Sequence, residues 1–317
     1  MESMRLLRSS PRRGLAAAAG LCLLGAAGSA GAQEDRSGFY VGLELGVAIP
    51  SGVDSSVSGV NHPTRCDRLL YAASISPPDD AACRDSTPAV LFANAFEPDP
   101  GFTSGFTFGY AAGGPRFEVE YANRYQGDDV KPLGGTESPA LAGKDNEWAS
   151  AAPLEEWIGD YHAHQVFANA YYDFVNDSRW TPYVGAGVGW AVTELSYYTQ
   201  LTRKPDAEYL QLEFDPDWPE AAKRAAAGTA SILDDKAGQT VFGYQVLAGF
   251  NYALTERTSL GAKVRWTRFD DVVEDVTWTQ IRSHAPVRAD GVTPFDSTLA
   301  FGGIGYQAVT LTLKHRF

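Results

Sequence analysis

The chain has 317 residues and a formal net charge of −13, and so acidic a chain argues against nucleic-acid binding. Beyond its N-terminal region it has no run of about 18 apolar residues, which excludes membrane helices. Its 32 glycines and many aromatics, beside only 2 methionines, suit strands with aromatic girdles better than a helical core.

Arg5, Arg8, Arg12 and Arg13 make a positive start, Leu15 to Gly28 is a short apolar stretch, and Ala30-Gly31-Ala32 is a small-residue cleavage site. This predicts a signal peptide over 1–32, followed by a single domain over 33–317. Leu21 before Cys22 does not fit a lipoprotein site. Export leaves Cys66 and Cys83 as an even pair in an oxidising compartment, so a disulfide is expected. Closing that loop would contribute about 3 kcal/mol.

Eight segments then alternate apolar and polar residues as half-exposed strands do: 39–49, 102–112, 116–125, 164–174, 181–193, 240–253, 258–269 and 306–317. In the first, Phe39, Val41, Leu43, Leu45 and Val47 share one face, and Tyr40, Gly42, Glu44 and Gly46 the other. Short turns follow at 113–115, 175–180 and 254–256, whereas the connections near 50–101, 126–163, 194–239 and 270–305 are long. Alternation of short turns with long loops predicts an all-β, antiparallel, up-and-down transmembrane barrel with turns in the periplasm and loops outside. A closed barrel meets the requirement that every backbone polar group in lipid be bonded internally.

One face of these strands carries Glu44, Arg116, Glu118, Glu120, Arg124, Asp173, Lys263, Arg265, Lys314 and Arg316. A soluble sandwich would not bury so many charges. Eight strands make a barrel that side chains can fill, so these groups are expected to pair across the lumen as a packed ionic interior. The last strand sets Val309, Leu311, Leu313, His315 and Phe317 in alternation, a pattern expected to be read by the barrel-assembly machinery.

The segment Ala168-Asn169-Ala170-Tyr171-Tyr172-Asp173-Phe174, then Thr181-Pro182-Tyr183-Val184-Gly185-Ala186-Gly187-Val188-Gly189-Trp190, resembles the small bacterial outer-membrane β-barrels. These are the opacity-protein-like surface antigens and the outer-membrane-protein-A-like transmembrane domains. Phe242 to Tyr252 and the terminal Lys-His-Arg-Phe are similar too, although His315 stands where the family more often has tyrosine. The resemblance implies an eight-stranded barrel in the outer membrane of a Gram-negative envelope, with surface-exposed loops. It implies no single activity, since members serve as adhesins, structural links, minor pores or antigens.

Other patterns have plainer readings. The alternating Gly185, Gly187 and Gly189 lack phosphate-loop spacing and make room in a crowded lumen. His162 and His164 share a face, which two ligands alone do not make a metal site. Ser283-His284 near Asp270, Asp271, Glu274 and Asp275 raises a lipid-modifying enzyme, but no lipase or acyltransferase motif accompanies it. The acidic loops lack calcium-loop spacing, and Trp218-Pro219 to Ala227 reads as a short helix capped by Asp217. The expectation is a non-enzymatic barrel without catalytic residues, metal or cofactor. Its partners are outer-membrane lipids and lipopolysaccharide, and host or cell-surface ligands through the loops. The rivals are a small conducting channel and, more remotely, the lipid-modifying enzyme.

Overall fold

The computed structural model describes residues 37–59, 89–132, 146–149, 155–214, 218–278, 280–281 and 296–317. The expected signal peptide, the Cys66–Cys83 pair, Ser283-His284 and Asp217 lie outside the described residues.

The elements are β1 (Gly38–Pro50), β2 (Val53–Gly59), β3 (Ala89–Phe96), β4 (Gly101–Ala111), β5 (Pro115–Tyr125), β6 (Asp129–Pro132), β7 (Glu155–Asp173), β8 (Trp180–Thr202), α1 (Asp206–Tyr209), α2 (Glu220–Ala226), β9 (Ala230–Ala253), β10 (Thr258–Phe269), β11 (Val272–Thr277), β12 (Gln280–Ile281), β13 (Asp296–Gly302) and β14 (Gly305–Arg316). Eight of them, β1, β4, β5, β7, β8, β9, β10 and β14, pair antiparallel in that order, and β14 returns to β1. The sheet is closed and the expected barrel is present. In the closing pair Leu43 faces Leu313 and Leu45 faces Leu311.

Alternation decides which way each side chain points. Leu43, Leu45, Phe106, Val119, Val184, Val264 and Leu311 project outward and are exposed, as residues that meet acyl chains must be. Phe39, Tyr110, Tyr172, Trp180 and Phe317 mark the turn end, with Phe39 against Tyr110 and Trp180 against Phe250. The turns are tight. Gly113 takes φ 75°, which suits glycine, and Ala112 N–H bonds Pro115 O at 2.8 Å. In the next turn Ser178 N–H bonds Asn176 Oδ1 at 2.8 Å, an Asx turn.

The long connections differ from expectation. β7, β8 and β9 have 19, 23 and 24 residues, so much of 126–163 and 194–239 is strand and not loop. About 11 residues suffice to cross the hydrocarbon, and the excess rises beyond it. The alternation persists there with its polarity reversed. Leu195, Tyr197, Thr199 and Leu201 of β8, with Leu233 and Ala237 of β9, now face inward. The other two long connections supply a four-stranded antiparallel sheet in the order β11-β13-β2-β3. Its Val53, Val57, Val272, Val276, Leu299 and Phe301 pack with them into one buried core. Side chains stitch the sheet margins: Gln239 Oε1 accepts from Val273 N–H, and Asp129 Oδ2 accepts from Glu97 N–H.

A bulge in β7 adjusts the facing. Asp160 has φ 52°, and the register with β8 shifts between Gly159 and His162. Below it Tyr161 points inward, and above it Ile158 and Glu156 do so in place of Trp157. Helix α2 begins after Pro219, which occupies the N-cap position expected for Asp217.

Candidate functional site

β5 and β10 stand on opposite sides of the eight-strand ring. Their inward side chains meet at its centre. Lys263 Nζ lies 2.5 Å from Glu44 Oε1 and 2.8 Å from Glu120 Oε2, while Arg265 Nη2 lies 2.7 Å from Glu44 Oε2 and its Nη1 bonds Glu120 Oε1. Each base touches each acid, so the ring is neutral. These side chains are at most 3% exposed. Asn169 extends the network, donating to Glu120 at 3.3 Å and accepting from Gln245 at 2.8 Å.

Towards the periplasm a second group follows. Arg116 bonds Glu118 and Asp173, each at 3.1 Å, and Lys314 approaches Glu118 at 3.6 Å. Tyr40 and Tyr171 donate to Glu118 at 2.7 and 3.0 Å, and the Arg116 guanidinium lies 3.8 Å from the Tyr171 ring centroid. Arg316 stands apart at the mouth, donating to Glu256 O. Towards the outside Arg124 has no carboxylate partner among the described residues. It lies between the Tyr161 and Tyr306 rings, at 4.5 and 4.2 Å, and donates to Tyr161 Oη. That layer separates the ionic lumen from the apolar core above it. Gly185, Gly187 and Gly189 leave space that Tyr171, Asn169 and Phe167 fill.

Among the described residues one trio of His, Cys, Asp or Glu has ligand atoms close enough for a metal: Glu44, Glu118 and Glu120. Lys263 and Arg265 already neutralise two of these carboxylates, and Arg116 and Lys314 face the third, so the donor set does not fit an added cation. His162 and His164 lie on the outer wall. Asn123 Nδ2 is 2.9 Å from His162 Nε2 and 3.2 Å from His164 Nδ1, and Tyr125 stacks on His162. This is a polar band at the upper rim, joined there by the exposed Glu194–Lys236 pair. Val309, Leu311, Leu313 and Phe317 all project outward from β14 or its end.

Sequence reading set Tyr40 on the face of Glu44 without naming it as a partner of the charges, and it missed Tyr171 and Tyr183, which share the parity of the charged residues. It also missed Glu156. That carboxylate is buried above the membrane, where it accepts from Ser55 Oγ at 2.8 Å, Tyr197 Oη at 2.7 Å and Asn94 Nδ2 at 3.2 Å. No signal in the strand pattern distinguishes it from the loop acids around it.

Residues 17–285 match the model of the outer membrane protein beta-barrel domain. Among solved structures, the Neisserial surface protein A is 16% identical, with 89% of this chain and 98% of that chain covered at a TM-score of 0.35. The outer membrane protein OprG from Pseudomonas aeruginosa is 13% identical, with the same coverages, 89% and 98%, at a TM-score of 0.42. Among the curated proteins compared, none matches the chain.

Proposed function

Since the chain belongs to the outer-membrane-protein β-barrel family and is an integral outer-membrane protein, we propose that it is a non-enzymatic surface protein whose working part is the structure above the membrane. One contrast carries this reading. A neutral, buried ionic ring lies across the lumen, whereas the longest strands and the apolar core belong to the part that faces outward. A packed platform with its own core holds the connecting loops in place for other cells, host molecules or the envelope, and loops on a rigid support commonly carry function. The wall meets outer-membrane lipids and lipopolysaccharide, and the alternating β14 residues engage the assembly machinery. A cleaved leader over 1–32 and a Cys66–Cys83 bridge complete the proposal.

Conductance of the refolded protein in a planar bilayer tests it. Silence from a folded barrel is expected. Steady openings that change in Arg265→Ala would overturn the reading and make the lumen the site of a small channel.

A further inference from the structure

The periplasmic end of the barrel opens into a cavity of about 830 Å³, within the size range of small-molecule sites. Arg116 and Lys314 line it from β5 and β14, and both are buried. Arg179, Arg257 and Arg316 line it from the two turns and the end of β14. Five cations face the two carboxylates that also line it, Asp173 and Glu256, and the Glu118 carboxylate that pairs with Arg116 and Lys314 behind the wall, which leaves a surplus of two positive charges. The chain as a whole carries −13, so this concavity opposes the general charge of the protein.

The arrangement is built and not incidental. Arg116 is 3% exposed, and although Nε and Nη1 are paired, its Nη2 has no hydrogen-bond partner. Lys314 has one carboxylate, at 3.6 Å. The Arg257 carbonyl accepts from Arg316 N–H at 2.7 Å, which ties the β9–β10 turn to β14. Among the described residues the side chains of Arg179 and Arg257 hold no ion pair. Guanidinium forks match carboxylate and phosphate oxygens, and a concave site with low-dielectric walls focuses its field on them.

Beyond the surface role proposed above, we infer that this cavity binds multivalent anions bearing phosphate or carboxylate groups that arrive as solutes from the periplasm. The buried pair forms its inner end and the turn arginines close on the ligand from the mouth.

The test is calorimetric titration of the refolded protein in nonionic detergent with pyrophosphate and, separately, with citrate. Saturable binding of one or both, weakening as salt rises, is expected. Arg179→Gln combined with Arg257→Gln should lower the affinity about tenfold or more, since charge-assisted bonds are lost. Both residues are exposed turn positions, and retained heat-modifiable mobility in gels verifies folding. Glu256→Gln, which removes a competing anion, should raise the affinity. Absence of saturable binding at millimolar anion, or equal affinity in the double arginine variant, would overturn the inference. Phosphatidylglycerol added to the micelles should not compete, and competition would overturn the solute assignment in favour of a lipid headgroup.

Discussion

The Lys263 ammonium sits 2.8 Å from the Glu120 carboxylate with both side chains wholly out of solvent. Lys263 also bonds Glu44, Glu120 also bonds Arg265, Arg265 in turn bonds Glu44, and the four charges cancel. Glu120→Gln keeps the shape and leaves an uncompensated positive charge, and Lys263→Met leaves a negative one. Each should lower stability by about 3–5 kcal/mol. The double variant restores neutrality, so its loss should be smaller than the two single losses combined. Urea unfolding in detergent, read by gel mobility, measures all three, and additive losses would show that the ring does not act as a unit.

Gly189 and Ala186 test the facing of β8. A side chain at Gly189 would meet the Val166 carbonyl and Phe167 across the strand pair, while Ala186 points to lipid. Gly189→Leu should therefore abolish refolding, since the clash is with backbone as well as with a buried ring. Ala186→Leu should fold as the natural chain does. Refolding yield into micelles decides the matter.

The membrane part of the fold was legible because lipid forces one rule on it: apolar residues out, polar residues in. Val184, Ala186, Val188, Trp190 and Val192 announce β8 in that way. Its continuation to Thr202 was not legible by the same rule, because above the membrane Leu195, Tyr197 and Leu201 turn inward and Glu194 and Gln200 turn out. The period is unchanged and the polarity is inverted, so a reading tuned to outward apolar residues stops at Thr193, just past the last of them, Val192. Short sequence runs such as Val53 to Gly59 carry still less signal. That β2 pairs with both β3 and β13 depends on contacts distant in sequence. The lumen charges were readable from strand parity, but which acid meets which base required the ring geometry.

Glu156 joins the two sheets above the membrane. Its carboxylate accepts from Ser55 of β2 and Tyr197 of β8 and also receives Asn94 of β3. Glu156→Leu would leave the Ser55 and Tyr197 hydroxyls buried and unpaired, each at a cost of about 1–3 kcal/mol, while Asn94 keeps its bond to the Pro132 carbonyl. The expected result is a loosened outer sheet over an intact barrel, since the lumen network lies far below. Limited proteolysis should cut the variant within 50–101 or 270–305 while gel mobility of the membrane part stays normal. Loss of the whole barrel would show that the two parts fold as one unit.

The same contact predicts a response to alkali. Burial, and then the neighbouring Glu156 carboxylate, hold the Tyr197 phenol well above its usual value. In an unfolded chain tyrosine loses its proton near pH ~10. The folded state therefore favours the neutral phenol, and this contribution to stability is complete below about pH 10. It is lost as the pH rises from there towards the folded value, because the unfolded chain gives up its proton first. Proteolysis of the outer sheet should accordingly accelerate above about pH 10. Tyr209 is also raised, by burial and by Glu147, so the reading must be the difference between the natural chain and Tyr197→Phe. The variant lacks the hydrogen bond at every pH, yet it should lose less stability between pH 9 and 11 than the natural chain. Parallel pH profiles for the two proteins would mean that the Tyr197 phenol does not couple the outer sheet to protons.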